Sequence, residues 1–354
     1  MTYGSPWLIM TMTETKRVFP AEWEEESGVL LSWPHEETDW AEMLPRVTDC
    51  YVRLATALCE KGIKLLIISP DSTAPRAALA ALPQERIIYV DVATNDTWTR
   101  DFGPITVREG EAWKVCDFKF NGWGLKFAAC FDNLVTSFLC DRRVIGGAYE
   151  NHLGFVLEGG SIESDGKGTV LTTSRCLLSP NRNGDFTRGQ IEARLRESLG
   201  AQHILWVEHG ALAGDDTDSH IDTLARLAPH NTIIYAGCQD PEDEHYTELM
   251  KMKEELAELR TPEGTLYNLY ELPMPDAVYS ADGERLPATY ANYLVTPRAV
   301  FMPTYGNPLK DMTAAGILGA VFEKEVVSID CLALIEQHGS LHCATMQIPE
   351  SILI

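Results

Sequence analysis

NTIIYAG (231–237) is a short run of β-branched and aromatic residues closed by glycine, and just beyond it EDEHYTELMKMKEELAEL (242–259) brings leucine and methionine round at helical spacing. The first segment predicts a buried strand and the second an amphipathic helix. The same juxtaposition recurs along the chain. GVLLSWP (28–34), KLLIISP (64–70), ERIIYVDV (85–92), GTVLTTS (168–174), NYLVTPRAVFMP (292–303) and KEVVSID (324–330) are strand-like runs bounded by Pro, Gly or Asp. Helical spacing appears in MLPRVTDCYVRLATALCEKG (43–62), TRGQIEARLRESLG (187–200) and DMTAAGILGAVFE (311–323), two of them closing on glycine and one opening on Thr187. Strands that alternate with helices predict an α/β protein. No low-complexity linker divides the 354 residues, which favours one continuous domain.

Composition narrows the partners. With 52 acidic against 29 basic residues the formal net charge is −23, which repels phosphate backbones and anionic lipid and attracts cations. Nucleic acid and membrane are therefore excluded as expected partners. The cysteines, at 50, 59, 116, 130, 140, 176, 238, 331 and 343, number nine and form no CxxC pair, so the reading is a reducing cytoplasm rather than a disulfide framework. The opening MTYGSPWLIMTMTETKR reads as a disordered leader over 1–17, with Met12 an alternative start, and its apolar run is too short for a signal peptide or anchor.

Clusters able to do chemistry fall at Trp98-Thr-Arg-Asp101, Glu158-Gly-Gly-Ser161, His220-Ile-Asp222, Tyr290-Ala-Asn292 and His342-Cys343. One residue from each gives gaps of 57, 62, 72 and 51 residues, each with room for a few strands and a helix. On spacing alone this points to five related units that each send one cluster to a common centre.

Cys343 follows the small-residue turn Gly339-Ser340, and a loop thiol beside histidine can be exposed and lowered in pKa by positive neighbours, as a nucleophile requires. The competing reading is a buried structural cysteine, which suits Cys50, Cys59, Cys140, Cys176, Cys238 and Cys331 better. His220 and Asp222 lie in GDDTDSHIDTLAR; on an extended segment i and i+2 share a side, and the carboxylates raise the imidazole pKa. A calcium loop is disfavoured because the DxDxDG pattern is absent. A zinc site of His338, His342 and Cys343 is conceivable, though no HExxH or paired CxxC supports it. Asp101 and Glu158 sit against Gly-Pro and Gly-Gly turns that would hold a carboxylate still, and a planar guanidinium is the partner such carboxylates fit. Arg100 is the rival partner for Asp101, and Trp98 and Trp123 offer aromatic faces to a cation or an alkyl chain.

In that order, WTRDFGP, LEGGSIE, GDDTDSHIDT, TYANYLV and HGSLHCATMQIP resemble the motif series of the agmatine deiminase and bacterial peptidyl-arginine deiminase family, from about Phe19 to Pro349. The resemblance implies a five-bladed α/β propeller, the pentein fold, with pseudo-fivefold symmetry and a single catalytic domain over 18–354. It implies Cys343 as nucleophile, His220 as acid/base, Asp101 and Asp222 as guanidinium-binding carboxylates, and Glu158 beside His220 or the guanidinium. Asn292 takes the place of the family's site asparagine, and Trp98 lines the channel. It further implies that no metal or organic cofactor is needed and that agmatine is hydrolysed to N-carbamoylputrescine and ammonia through a covalent thiouronium. One departure is Asp216, where agmatine deiminases often carry Glu, at a position that meets the distal amine. The alternatives are a peptidyl-arginine or free-arginine deiminase, an amidinotransferase on the same scaffold, and a non-catalytic ribosome-binding relative. Oligomeric state is left open.

Overall fold

Leu65–Ser69, with the sequence LLIIS, is buried along its whole length because both of its edges are occupied by parallel strands, Ser27–Ser32 on one side and Ile87–Asp91 on the other. A strand enclosed in this way reads as a continuous apolar run rather than an alternating one. The helix Leu44–Glu60 makes the crossover between Ser27–Ser32 and Leu65–Ser69, burying Val47, Cys50, Tyr51, Leu54 and Leu58 at helical spacing. The C-terminal strand Met346–Pro349 completes this sheet by pairing antiparallel to Ser27–Ser32, so the two ends of the chain share one sheet. The computed structural model describes residues 16–354. All but the last two residues of the expected leader lie outside the described residues, and Arg17 opens a two-residue strand on Ile105–Glu109.

The remaining strands form four more sheets. Each is built on the same plan: a first strand antiparallel to a central one, which is parallel to a third reached through a helix. The triads are Ile105–Glu109, Ala112–Lys119 and Ala148–Val156; Ile162–Ser164, Thr169–Thr173 and His203–Val207; Ala225–Ala228, Thr232–Ala236 and Asn268–Leu272; and Leu294–Val295, Val300–Thr304 and Val326–Asp330. Parallel pairing requires such a crossover, and Val135–Asp141, Arg188–Leu199, Tyr246–Glu258 and Pro308–Phe322 supply it. The fold is thus mixed α/β. Every chemistry-bearing cluster ends one to four residues ahead of an antiparallel first strand, as Asp101 precedes Ile105 and Cys343 precedes Met346.

The expected strand over 292–303 is in fact two. Pro297 cannot donate to a ladder, and Thr296 Oγ1 accepts from the backbone N of Arg298 and Ala299 at 3.3 and 3.2 Å, so the segment folds back with Leu294 opposite Phe301. The helix expected from 311 begins earlier, at Pro308, where the Asn307 side chain accepts from the backbone N of Leu309 and Lys310. The helix opening on Thr187 carries a full capping box with Gln190 and ends at Gly200 with φ 73°. No helix among the described residues is long and apolar enough to cross a membrane.

Candidate active site

Gly160 marks where the clusters meet. A Cβ built on it would lie 2.7 Å from His220 Nδ1, 2.8 Å from Asp101 Oδ1 and 3.0 Å from Asp222 Oδ2, so three groups 62 residues or fewer from the glycine in sequence converge on the space glycine leaves. Its neighbour Gly159 is required by close approach to the Arg100 carbonyl, 2.1 Å from the corresponding Cβ. Asp101, in the short helix Thr99–Phe102, accepts from Gly160 N at 2.9 Å through Oδ1 and from Trp123 Nε1 at 2.8 Å through Oδ2. Arg100 does not pair with it. That guanidinium turns away to Glu22, 3.0 Å from Oε1, and to Gln347. The segment that delivers Trp123 is strained: Gly122, Trp123, Gly124 and Leu125 have φ of 66°, 54°, 82° and 69° in succession. Two non-glycine residues held in the left-handed region beside the site cost stability that the surrounding contacts must offset.

His220 and Asp222 are both fully buried, and Asp222 lies in a 3-10 turn, Ile221–Thr223, rather than in the extended segment expected from i, i+2 spacing. The turn still brings both to Gly160. Among the described residues neither ring nitrogen of His220 has a hydrogen-bond partner, and Nδ1 is 3.6 Å from Asp101 Oδ1. Burial opposes its charge, but Asp101, Cys176 and Glu158 outweigh burial and hold the imidazole well above its ordinary pKa. Asp101 is pushed up to about 6, chiefly by burial, with Asp222 and Glu158 adding to it against the opposing charge of His220. Asp222 goes the other way: burial resists, yet the hydrogen bond and charge of His342 hold it below the ordinary aspartate range. Two carboxylates in one site are thereby set to different protonation behaviour. Glu158 is engaged by the buried Arg182, whose Nε lies 2.8 and 3.0 Å from its two oxygens.

Cys343 departs from expectation. The loop reading predicts an exposed thiol lowered by positive neighbours; instead it is 5% exposed and burial, then Asp222 and Asp101, push it well above the ordinary thiol value. Its Sγ lies 3.2 Å from Asn292 Nδ2 and 3.8 Å from Asp222 Oδ2, and Asn292 Oδ1 accepts from the backbone N of His342 at 3.0 Å and of Cys343 at 3.3 Å. The zinc alternative does not assemble. His342 directs Nδ1 to Asp222 and Nε2 to Glu22, both at 2.7 Å, while His338 Nδ1 is 2.7 Å from the Gly214 carbonyl.

Asp101 and Cys343 line a cavity of about 270 Å³ whose walls include the rings of Trp98, Trp123 and Phe127. Three further carboxylates, Asp39, Asp96 and Asp216, line it too, as does His338, and among the described residues no arginine or lysine does. Burial, reinforced by Asp132, Asp39 and Asp216, pushes Asp96 up to about 8. Asp216 is also raised, first by burial. The structure therefore gathers around the cavity Trp98, Asp101, Trp123, Asp216 and Cys343, with His220 and Asp222 converging beside Asp101 and with Asn292 on the thiol. Sequence reasoning missed Asp39, Asp96, Cys176, Arg182, Glu22 and Arg226. Arg226 closes the stretch GDDTDSHIDTLAR and Asp96 stands two residues before Trp98, but nothing local marks either of them or the other four, and only approach in space distinguishes them.

Carboxylates and a histidine around a buried thiol, in a mixed α/β chain, define a hydrolase that acts on the C–N bonds of amidines and guanidines. The chain belongs to the agmatine deiminase and peptidyl-arginine deiminase family: the sequence pattern of the Porphyromonas-type peptidyl-arginine deiminase matches residues 18–349. Agmatine deiminase from Stutzerimonas stutzeri is 30% identical over 96% of this chain and 98% of its own length. A Porphyromonas gingivalis structure, whose assignment as an arginine deiminase is provisional, is 47% identical with a TM-score of 0.90, covering 96% of this chain and 100% of that one. A structure of C. jejuni agmatine deiminase, a cysteine-to-serine variant with substrate bound, is 37% identical with a TM-score of 0.87, covering 94% of this chain and 96% of that one.

Proposed function

We propose that the protein hydrolyses agmatine to N-carbamoylputrescine and ammonia through a covalent intermediate on Cys343. Asp101 and Asp222 bind the guanidinium protons and leave its central carbon open to sulfur. The unliganded thiol is held neutral by burial and by these carboxylates, so the arriving cation supplies the charge that favours thiolate. Sulfur attacks the carbon, the C–N bond to one NH2 breaks, and that nitrogen leaves as ammonium with one proton from the thiol and one from His220, which is left neutral. His220, now neutral, takes a proton from water, whose oxygen adds to the thiouronium carbon; the C–S bond breaks, the proton of the added hydroxyl passes to sulfur to restore the thiol, and the urea product departs. Asn292 steadies the thiol, and Glu158, fixed by Arg182, faces His220. Five sheets on one plan, each preceded by one cluster, support a five-bladed α/β propeller with residues 18–354 as one catalytic domain. Nine unpaired cysteines support a cytoplasmic location.

The observation that carries the choice of agmatine is the cavity lining: Asp39, Asp96 and Asp216, with His338 but no arginine or lysine beside them, suit a second cation and disfavour a carboxylate tail. Agmatine should exceed arginine in kcat/KM by at least about a hundredfold, since a carboxylate among carboxylates costs several kcal/mol and each 1.4 is a factor of ten. Asp216→Asn should lower agmatine turnover about tenfold and narrow that ratio. Because Asp96 must ionise to pair with an ammonium, the KM for agmatine should rise as pH falls through about 8, whereas that of a guanidine with a neutral tail should not. Steady-state assays of agmatine, arginine and an arginyl peptide decide the matter: equal efficiency on all three, or a better arginyl peptide, overturns agmatine as substrate. Activity is also expected to survive exhaustive chelation and dialysis, and recovery only on adding zinc would contradict the mechanism.

A further inference from the structure

Behind the guanidinium-binding carboxylate lies a second buried ionic layer that the proposed reaction does not use. Glu22, from the N-terminal segment, is the junction of two guanidiniums and an imidazole carried by three different parts of the chain. Its Oε1 is 2.7 Å from His342 Nε2 and 3.0 Å from Arg100 Nη1, and its Oε2 is 3.2 Å from Arg226 Nη2. His342 in turn puts Nδ1 2.7 Å from Asp222 Oδ2, the oxygen that faces Gly160 and lies 3.8 Å from the Cys343 sulfur. Arg226 Nη2 is 3.0 Å from His342 Nε2, its Nη1 donates to the carbonyls of Ala291 and Tyr293, and its Nε is on Glu163. Asp222 Oδ1 has no hydrogen-bond partner among the described residues although the residue is fully buried.

We infer that Glu22 is a positioning residue for the reaction: acting through His342, it fixes the angle and the charge of Asp222, and so the seat of the guanidinium. This rests on the functional reading above. The imidazole can donate to Asp222 only through Nδ1, and what faces Nε2 decides how much positive charge the ring shares with that carboxylate. Burial, then Arg100 and Arg226, press against the ring's charge and hold its pKa below the ordinary histidine value, while Glu22 and the hydrogen bond to Asp222 oppose them in part. The groups facing this relay are thus Glu22, Arg100, Arg226 and Glu163 on one side, and Asp222, His220, Asp101 and Cys343 on the other. Loss of the Glu22 charge leaves both arginines acting on His342, weakens the support for Asp222 and raises its pKa. The ionised form is then lost at a higher pH.

Glu22→Gln keeps the shape of the side chain and removes its charge. It should raise KM for the guanidinium substrate at least about tenfold with kcat changed much less, and move the acid limb of kcat/KM upward by about one pH unit. Glu22→Asp, which keeps the charge, should restore the acid limb toward the wild-type position. A fall in melting temperature with KM and the acid limb unchanged would show that Glu22 only holds the fold, and would overturn the inference. If Glu22→Gln does not fold, His342→Gln must give the same split of KM from kcat, because it cuts the link while leaving Glu22 between the arginines; failure of both to fold overturns the positioning role. An active wild type with indifferent variants sinks this inference alone, whereas a wild type inert on every guanidine overturns the functional reading and this inference with it.

Discussion

Cys343→Ser is expected to lower turnover of a guanidinium substrate by at least about 10⁴-fold, because a hydroxyl in place of the thiol is far harder to ionise. The position magnifies the difference. Burial and the charges of Asp101 and Asp222 already oppose a negative atom at residue 343, and sulfur tolerates that opposition only because its starting pKa is low enough for the arriving cation to tip it. The exchange of sulfur for oxygen keeps the number of atoms, so melting temperature should change little and substrate should still bind. Mass spectrometry of His220→Ala given substrate should show an adduct on Cys343, since the thiouronium forms but lacks the group that activates water. An adduct on Cys176 instead, the thiol beside His220, would overturn the assignment of the nucleophile.

The second large effect is expected from the smallest change. Gly160→Ala introduces one methyl group 2.7 to 3.0 Å from His220, Asp101 and Asp222, closer than carbon approaches nitrogen or oxygen in folded proteins. Two of the three are tied, Asp101 by Trp123 and the Gly160 amide and Asp222 by His342, and His220 is enclosed by full burial. They must shift together, and displacement of reacting groups by a fraction of an ångström to an ångström costs about 10²-fold or more. A loss in kcat/KM of at least about a hundredfold, with the circular dichroism spectrum and the reactivity of Cys343 preserved, is the expected result. Retention of a tenth or more of wild-type activity would mean that Gly160 does not face the reacting centre.

Some of this was open to inspection in the sequence. Apolar runs such as LLIIS and NTIIYAG, and helices such as Leu44–Glu60, follow from periodicity and from Gly and Pro at their ends, which are local properties. Strands with mixed character escaped: Ala112–Lys119 carries Lys114 and Asp117, and Ala148–Val156 carries Glu150 and His152, so neither shows a clean period of two. Their place in a sheet is decided by partners, not by their own composition.

The same division runs through the site. Motif chemistry, read from residues a few positions apart, singled out Asp101, Glu158, His220, Asp222, Asn292 and Cys343, and the similar gaps between them anticipated a common centre. What local spacing could not contain is desolvation and approach. That Cys343 is buried among carboxylates rather than exposed beside cations, that Arg100 serves Glu22 instead of Asp101, and that Asp39 and Asp96 join Asp216 at one cavity all depend on contacts between distant segments. The physical reason is one of range. Backbone preference and side-chain periodicity act over a few residues and are written in order along the chain, whereas a pKa or a binding site is the sum of charges and excluded water over several ångströms of space, which only the folded arrangement of the five sheets fixes.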